Sequence, residues 1–216
     1  KVKTGQTMAF YVLALSELVH VYNVRNNKKS IFKTGIFNNS KLILASASPR
    51  RKELLKNLGY EFSIEVCDLD ENSDKTAPYE LVMDLAKVKA QAIMDMHKEE
   101  DCIVIGADTV VANGEEILGK PRDLEHAREM ITSLQGKTHQ VYTGVCLYRN
   151  DEKINQNLTF YVKTDVEVYP MTPEEIEAYV ATRECEDKAG SYAIQGLFSP
   201  YIKGISGDYN NVVGLP

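Results

Sequence analysis

The stretch LILASASPRRKELL, residues 42–55, sets the architecture. Its apolar start, Leu42, Ile43 and Leu44, reads as a strand. Ser48 as N-cap and Pro49 at the first helical position then open a helix, which Gly59 closes. A strand running straight into a helix begins the alternation of strands and helices that continues along the chain. The helix start is unusual, because Arg50, Arg51 and Lys52 follow the proline. A helix N-terminus carries partial positive charge, so each cation there costs about a few tenths of a kcal/mol. An anion held between the free N–H groups and the guanidinium groups reverses that sign. The alternative is that the arginines fold back onto acids such as Glu53 or lie in solvent.

Working outward, strands alternate with helices. Strands are expected over 41–45, 61–66, 103–112, 140–148 and 159–168, the third and fourth rich in Val and Ile. Helices are expected over 49–58, 79–97, 122–134 and 173–183, with Asp123 and Thr172 near N-caps and Pro173 in a first turn. The last two strands pair as a hairpin through Arg149, Asn150 and Asp151, so the fold class is α/β with a mixed β-sheet flanked by helices.

The composition is that of a globular protein, with 44% hydrophobic and 26% charged residues among 216. A net charge of −6 excludes a general nucleic-acid-coating role. The four cysteines (Cys67, Cys102, Cys146 and Cys185) form no CxxC and no zinc-spaced cluster with histidine, as expected of reduced, mostly buried thiols. The charge is unevenly divided: residues 1–41 carry seven Lys/Arg and one acid, Glu17, against 18 and 30 in the remainder. Residues 8–24, MAFYVLALSELVHVYNV, are mostly apolar and lead into Arg25, Lys28, Lys29 and Lys33. A spanning helix needs about 20 apolar residues, and Glu17, His20 and Asn23 are costly in lipid. The segment is therefore either a borderline membrane element or an amphipathic helix on a core or partner. Residues 1–40 are expected to be an appendage, and 41–216 the main domain.

Several residues stand out chemically. In the helix over 79–97, Leu81, Leu85, Val88, Ala92 and Met96 are expected as the apolar stripe, with Lys89 inside it and Lys87 outside. Lys89 either snorkels to water or meets an anion in a cleft. In IVIGADTVVA, residues 103–112, Asp108 interrupts a buried strand. Burying an uncompensated carboxylate costs several kcal/mol, roughly. The Gly106–Ala107 pair is expected to end or bulge the strand, leaving Asp108 at a strand end as a functional group or a turn cap. DLDE, residues 68–71, with Asp74, is either a solvated loop or carboxylates that share a divalent cation with phosphates. GEEILGKP (114–121) and QGKTH (135–139) both fail as P-loops, although Lys120 can still meet a phosphate as a point charge. KAGSYAIQG, residues 188–196, surrounds Tyr192 and Gln195 with small residues, and suits either close ligand approach or a tight turn.

Taken together, ASASPRRKELL, LAKVKA, GADTVV, GKP, QGKTHQVYTGV, KAGSYAIQG and ISGDYNNVVGLP resemble the Maf family of nucleoside triphosphate pyrophosphatases in order and spacing over about 41–216. The family continues with a final helix after VVGLP, where this sequence stops. The resemblance implies cleavage of a nucleoside triphosphate between its α- and β-phosphates, a divalent metal (Mg²⁺ or Mn²⁺), a cytosolic homodimer, and a fold similar to inosine triphosphate pyrophosphatases. By motif it implies Asp108 as general base, Arg50, Arg51, Lys89 and Lys120 as phosphate ligands, and Glu71 with Asp108 for metal. GADT and AIQG resemble the dTTP/UTP subgroup, with Arg50, Thr109 and Gln195 influencing substrate choice. The alternative is a nucleotide-binding regulator of cell division that does not turn over. Residues 6–32 resemble part of the C-terminal membrane region of P-type cation-transporting ATPases, so the N-terminal segment is a candidate for membrane contact.

Overall fold

The computed structural model describes residues 40–69, 72–151 and 154–216. Residues 1–39 of the expected appendage, and Glu71 of the acidic run, lie outside the described residues. The chain divides into two units between Ser40 and Lys41, and the second holds every element named here.

One mixed sheet organises that unit. Strands β1 (Lys41–Ala45), β2 (Ser63–Ile64), β3 (Cys102–Asn113), β5 (Thr138–Asp151), β6 (Ile154–Val168) and β7 (Ile202–Ser206) lie in the order β2-β1-β3-β5-β6-β7, with β4 (Glu116–Leu118) hairpinned onto β3. β1 is parallel to both of its neighbours, whereas β3, β5, β6 and β7 are antiparallel in turn. The helices are α1 (Pro49–Asn57), α2 (Pro78–Met96), α3 (Leu124–Leu134), α4 (Pro173–Ala181) and α5 (Tyr209–Val213). The three expected caps form: Ser48 accepts from Arg51 N, Asp123 from His126 N, and Thr172 from Glu175 N within a reciprocal capping box.

The period-2 pleat of the strands assigns each residue to a face. Ile43, Ala45, Val104 and Cys146 pack with Ala86, Ala90, Ile93 and Met94 of α2. Leu44, Ile105, Ala107 and Val145 pack on the other face with Leu55 of α1 and Leu215. Farther along that face, Val111, Val141 and Val166 meet α3, α4 and Val213 of α5. Each fully buried Val, Ile or Leu contributes roughly 1.5–3 kcal/mol. All four cysteines are free thiols, three of them buried. Among the described residues no helix is long and apolar enough to cross a membrane.

Four expectations change. The stripe of α2 is Val82, Leu85, Ala86, Ala90, Ile93 and Met94, so of the five residues expected only Leu85 is buried and Met96 is exposed. The face turns because the helix seats its small residues against strand glycines. A Cβ built on Gly106 would lie 2.2 Å from the Ala86 carbonyl oxygen, and one on Gly144 would lie 2.2 Å from that of Val82. β3 neither ends nor bulges at Gly106–Ala107; it pairs with β5 in unbroken register from Cys102 to Ala112, placing Asp108 opposite Gly144 in mid-strand. β2 shrinks to two residues. The β5–β6 hairpin forms, but Arg149, Asn150 and Asp151 are paired in the ladder rather than forming its turn, the last of them with Ile154. The sequence reading also missed β4, β7 and α5. The failed P-loop GEEILGKP holds the β3–β4 turn, with Gly114 at φ 65°, and then β4 itself.

Gly106→Ala should lower the urea-unfolding free energy by about 2 kcal/mol, since the added methyl must push α2 off the sheet. Gly119→Ala, where an added Cβ meets nothing within 4 Å, should stay within about 0.5 kcal/mol. Equal midpoints for the two variants would refute the close-contact account.

Candidate active site

Parallel pairing of β1 with β3 stops at Ala45↔Gly106, and β4 joins β3 only from Val111. Between them, residues 107–110 present a strand edge with no partner strand among the described residues. The notch lies at the carboxyl end of β1, from which the chain turns to β2 on one side and reaches β3 on the other. Open α/β sheets bind ligands at such switch points. Asp108 and Thr109 sit in the notch, and the pleat sends their side chains to opposite faces.

On the α2 face, Asp108 is flanked by Gly106 two residues back and Gly144 across the ladder. The absence of two side chains leaves room for Lys89, seven residues after Val82 on the true buried stripe. Lys89 Nζ donates to Asp108 Oδ1 at 2.6 Å. Their side chains are 17% and 13% exposed, so this pair is largely withdrawn from water. A pair so shielded is weak grounds for stability and a good position for chemistry. Lys87, by contrast, is exposed.

On the other face Thr109 meets Arg51. Arg51 donates through Nη2 to Thr109 Oγ1 at 2.9 Å, through Nη1 to Ser46 Oγ at 3.1 Å, and through Nε to the Gly214 carbonyl at 2.7 Å. Thr109 and Thr143, directly opposite in the ladder, have hydroxyls 2.9 Å apart, and Thr143 donates to the Asn211 carbonyl at 2.9 Å. A hydroxyl has one proton, so the direction is fixed. Arg51 donates to Thr109, Thr109 to Thr143, and Thr143 to the backbone of α5. Asn211 continues inward through Nδ2 to the Val141 carbonyl at 3.0 Å and to Thr164 Oγ1 at 2.9 Å. Thr143, Thr164 and Asn211 are fully buried. The motifs QGKTHQVYTGV and ISGDYNNVVGLP contain Thr143 and Asn211, but their uncharged side chains give no signal of a buried relay.

Arg50, at the second helical position of α1, is half-buried. Burial lowers its pKa, while the charges of Asp187 and Glu184 act in the opposite direction. Among the described residues it makes no hydrogen bond or ion pair of its own. Lys120 and Gln195 are exposed and neither bonds another site residue. Their loops are nevertheless joined, because Gly190 N donates to the Gly119 carbonyl at 3.0 Å. Gly190, at φ 67°, also lies so close to Val111 that a Cβ would stand 2.8 Å from its Cγ2. The loop over 188–196 thus lies against the far end of β3. Asp108 is the one metal candidate described, and among the described residues no three His, Cys, Asp or Glu side chains cluster as a metal cage. Mg²⁺ at phosphate sites usually takes one or two carboxylates plus phosphate oxygens, a habit that Asp108 fits.

Beneath this loop, Tyr192 Oη and His139 Nε2 are 2.7 Å apart, with Tyr192 buried and His139 fully so. Burial pushes the Tyr192 phenol above its ordinary range and holds the imidazole down at about 4. His139 is therefore neutral when folded, whereas unfolding restores a value near 6.5. The unfolded chain gains the proton first as pH falls. The stability contributed by neutral His139 is thus complete above 6.5 and is lost between about 6.5 and 4, by roughly 3 kcal/mol in all. His97, raised by hydrogen bonds to Glu65 and Glu100, acts with the opposite sign, but it is common to wild type and variant. Denaturant titrations across that range should show a steeper acid loss in wild type than in His139→Asn; parallel curves would refute the assignment.

Comparison with known proteins agrees with the motifs. Residues 41–216 match the family model described as Maf-like protein, and residues 1–48 match one described as the C-terminus of cation transporting ATPases. Curated relatives named dTTP/UTP pyrophosphatase include one from Agathobacter rectalis, 49% identical and covering 82% of this chain and 92% of its own. Another, from Bacillus cytotoxicus, is 48% identical over 82% of this chain and 90% of its own. Among solved structures, the Ham1 protein of Staphylococcus aureus aligns with a TM-score of 0.43 and 14% identity over 60% of this chain and 72% of that one. On the match spanning 41–216 and the identity to these relatives, the chain belongs to the Maf family.

Proposed function

We propose that this chain hydrolyses dTTP and UTP to the monophosphate and pyrophosphate, with the triphosphate lying across the notch in the sheet. The observation that carries this reading is the pair Asp108–Thr109. Two consecutive residues at an unpaired strand edge bring a carboxylate with its lysine to one face and an arginine to the other. The curated relatives bearing the activity name, at 48–49% identity, support the nucleotide pyrophosphatase chemistry.

In this mechanism Arg50, Lys89 and Lys120 take the phosphates. Arg51, fastened by three nitrogens to protein oxygens, supplies fixed positive charge and holds Thr109. Lys89 can pair with Asp108 or with a phosphate. When it moves to the phosphate it leaves the Asp108 carboxylate to accept a proton. Water attacks the α-phosphorus, its proton goes to Asp108, and the bond from the α-phosphorus to the bridging oxygen breaks with its electron pair leaving on pyrophosphate. Negative charge grows on that oxygen and on the α-phosphoryl oxygens, where preplaced cations stabilise it. A divalent cation, Mg²⁺ or Mn²⁺, held by Asp108 and phosphate oxygens would neutralise the same charge. Gln195, exposed on its loop, offers both a donor and an acceptor to a pyrimidine edge, Thr109 lies in the notch, and Arg50 stands beside Arg51 at the start of α1.

With UTP or dTTP, the purified chain should release pyrophosphate, and Asp108→Asn should reduce the rate by at least about a hundredfold while leaving the fold intact. Release of orthophosphate, or tight UTP binding without turnover, would overturn the reading; the latter would favour a nucleotide-binding regulator. Arg50 and Arg51 should separate. Arg50→Ala should raise KM for UTP about tenfold with little loss of stability. Arg51→Ala should cost about 1–3 kcal/mol in unfolding experiments, because Thr109, Ser46 and the Gly214 carbonyl lose their donor.

A further inference from the structure

We propose that Glu184 is a positioning residue for nucleotide selection: its carboxylate clamps the crest that presents Gln195. The inference rests on the proposed reading of Gln195. Glu184 Oε1 accepts from Leu197 N at 3.0 Å, and Oε2 accepts from Tyr179 Oη at 3.2 Å. Tyr179 is anchored in the core, with its ring 4.9 Å from that of Phe198. A Cβ on Gly196 would lie 2.0 Å from Glu184 Oε1, so the carboxylate occupies the space that any other residue at 196 would need. The residue after Gln195 is therefore moulded to Glu184, and the next one is hydrogen-bonded to it.

Backbone conformation supports the same conclusion. Among the described residues, Arg183 at φ 61° and Ser191 at φ 63° are the two non-glycine residues at positive φ. One immediately precedes Glu184 and the other immediately precedes Tyr192, which is fastened to His139. Left-handed conformations of such residues persist where the surroundings over-determine them, commonly at functional sites. The loop is thus held on both sides of Gln195, by Tyr192 and by the Glu184 clamp, while the Gln195 side chain remains exposed. The charge of Glu184 also acts on Arg50, one of the proposed phosphate ligands.

Pyrophosphate release from UTP and from CTP, measured for wild type, Gln195→Ala, Glu184→Ala, Glu184→Gln and Gly196→Ala, tests the inference. Glu184→Ala should lower the UTP:CTP ratio of kcat/KM about tenfold, to the value of Gln195→Ala, and the double variant should fall no further. Gly196→Ala, whose methyl evicts the carboxylate, should behave likewise. Glu184→Gln should restore the ratio, since its amide oxygen accepts from Leu197 N and its NH₂ donates to Tyr179. Exchange of the Leu197 amide should quicken in Glu184→Ala and not in Glu184→Gln. A merely structural role would lower activity on both nucleotides together and leave the ratio unchanged. An unchanged ratio in Gln195→Ala would overturn the reading of Gln195 and this inference with it. A changed ratio there, with an unchanged ratio in Glu184→Ala, would overturn the inference alone.

Discussion

The close approach of α2 to the sheet is the constraint on which the site depends. Val82 and Ala86 stand one helical turn apart and rest their carbonyls over Gly144 and Gly106 on neighbouring strands. No side chain fits beneath the helix at those points. Because Gly144 lies opposite Asp108, the contact that seats the helix also clears the space around the carboxylate. Lys89, beside Ala86 and Ala90 on the same helix, then reaches Asp108 and donates to it. A helix held farther away by larger residues would bury the aspartate without its partner, at a cost of several kcal/mol, roughly.

The opposite face solves a different problem. Arg51 and Thr109 are fixed by a relay of single-proton donors that runs through Thr143 into Asn211, and so ties α1, β3, β5 and α5 together. Polar groups buried in this way stabilise only when each finds its partner, because low dielectric raises both the gain and the penalty. Thr109 spends its proton inside the protein. What it can offer a ligand is therefore an acceptor, and the donors in the notch are the cations. α5 and Gly214 belong to this arrangement, since the Gly214 carbonyl takes the shortest of the three Arg51 bonds.

Much of this was legible in the sequence. Caps, prolines and the Val- and Ile-rich runs located the main strands and helices, because those signals act over a few residues. The charges out of place, on Arg50, Arg51, Lys89 and Asp108, marked the candidate site, because a cation at a helix start or a carboxylate in a strand conflicts with local preference and points to a compensating partner. What the sequence concealed depends on contacts between distant residues. The face of α2 was misjudged because large apolar residues weigh heavily in a stripe, whereas the true contact uses Ala86 and Ala90 against glycines. The pairing of Lys89 with Asp108 and of Arg51 with Thr109 follows from the pleat and the register, neither of which a single segment carries. β7 and α5 escaped because their segments are short and their pattern is set by the sheet and the relay they complete.

The charges around the notch are held in unequal states, and the inequality favours an anion. Lys89 is matched by Asp108, so drawing it to a phosphate only exchanges one carboxylate for another anion. Arg51 is held by hydrogen bonds to Gly214, Ser46 and Thr109, which fix the guanidinium. Arg50 is the least settled. Burial disfavours its charged form, and the opposing influence of Asp187 and Glu184 does not fully offset this. An anion placed beside a partly desolvated guanidinium interacts with it more strongly than it would in water. The residue that seemed worst placed at the helix start is thus the one whose cost a triphosphate would relieve most directly. Its neighbour Arg51, identical in type and one position away, is already committed to the fold.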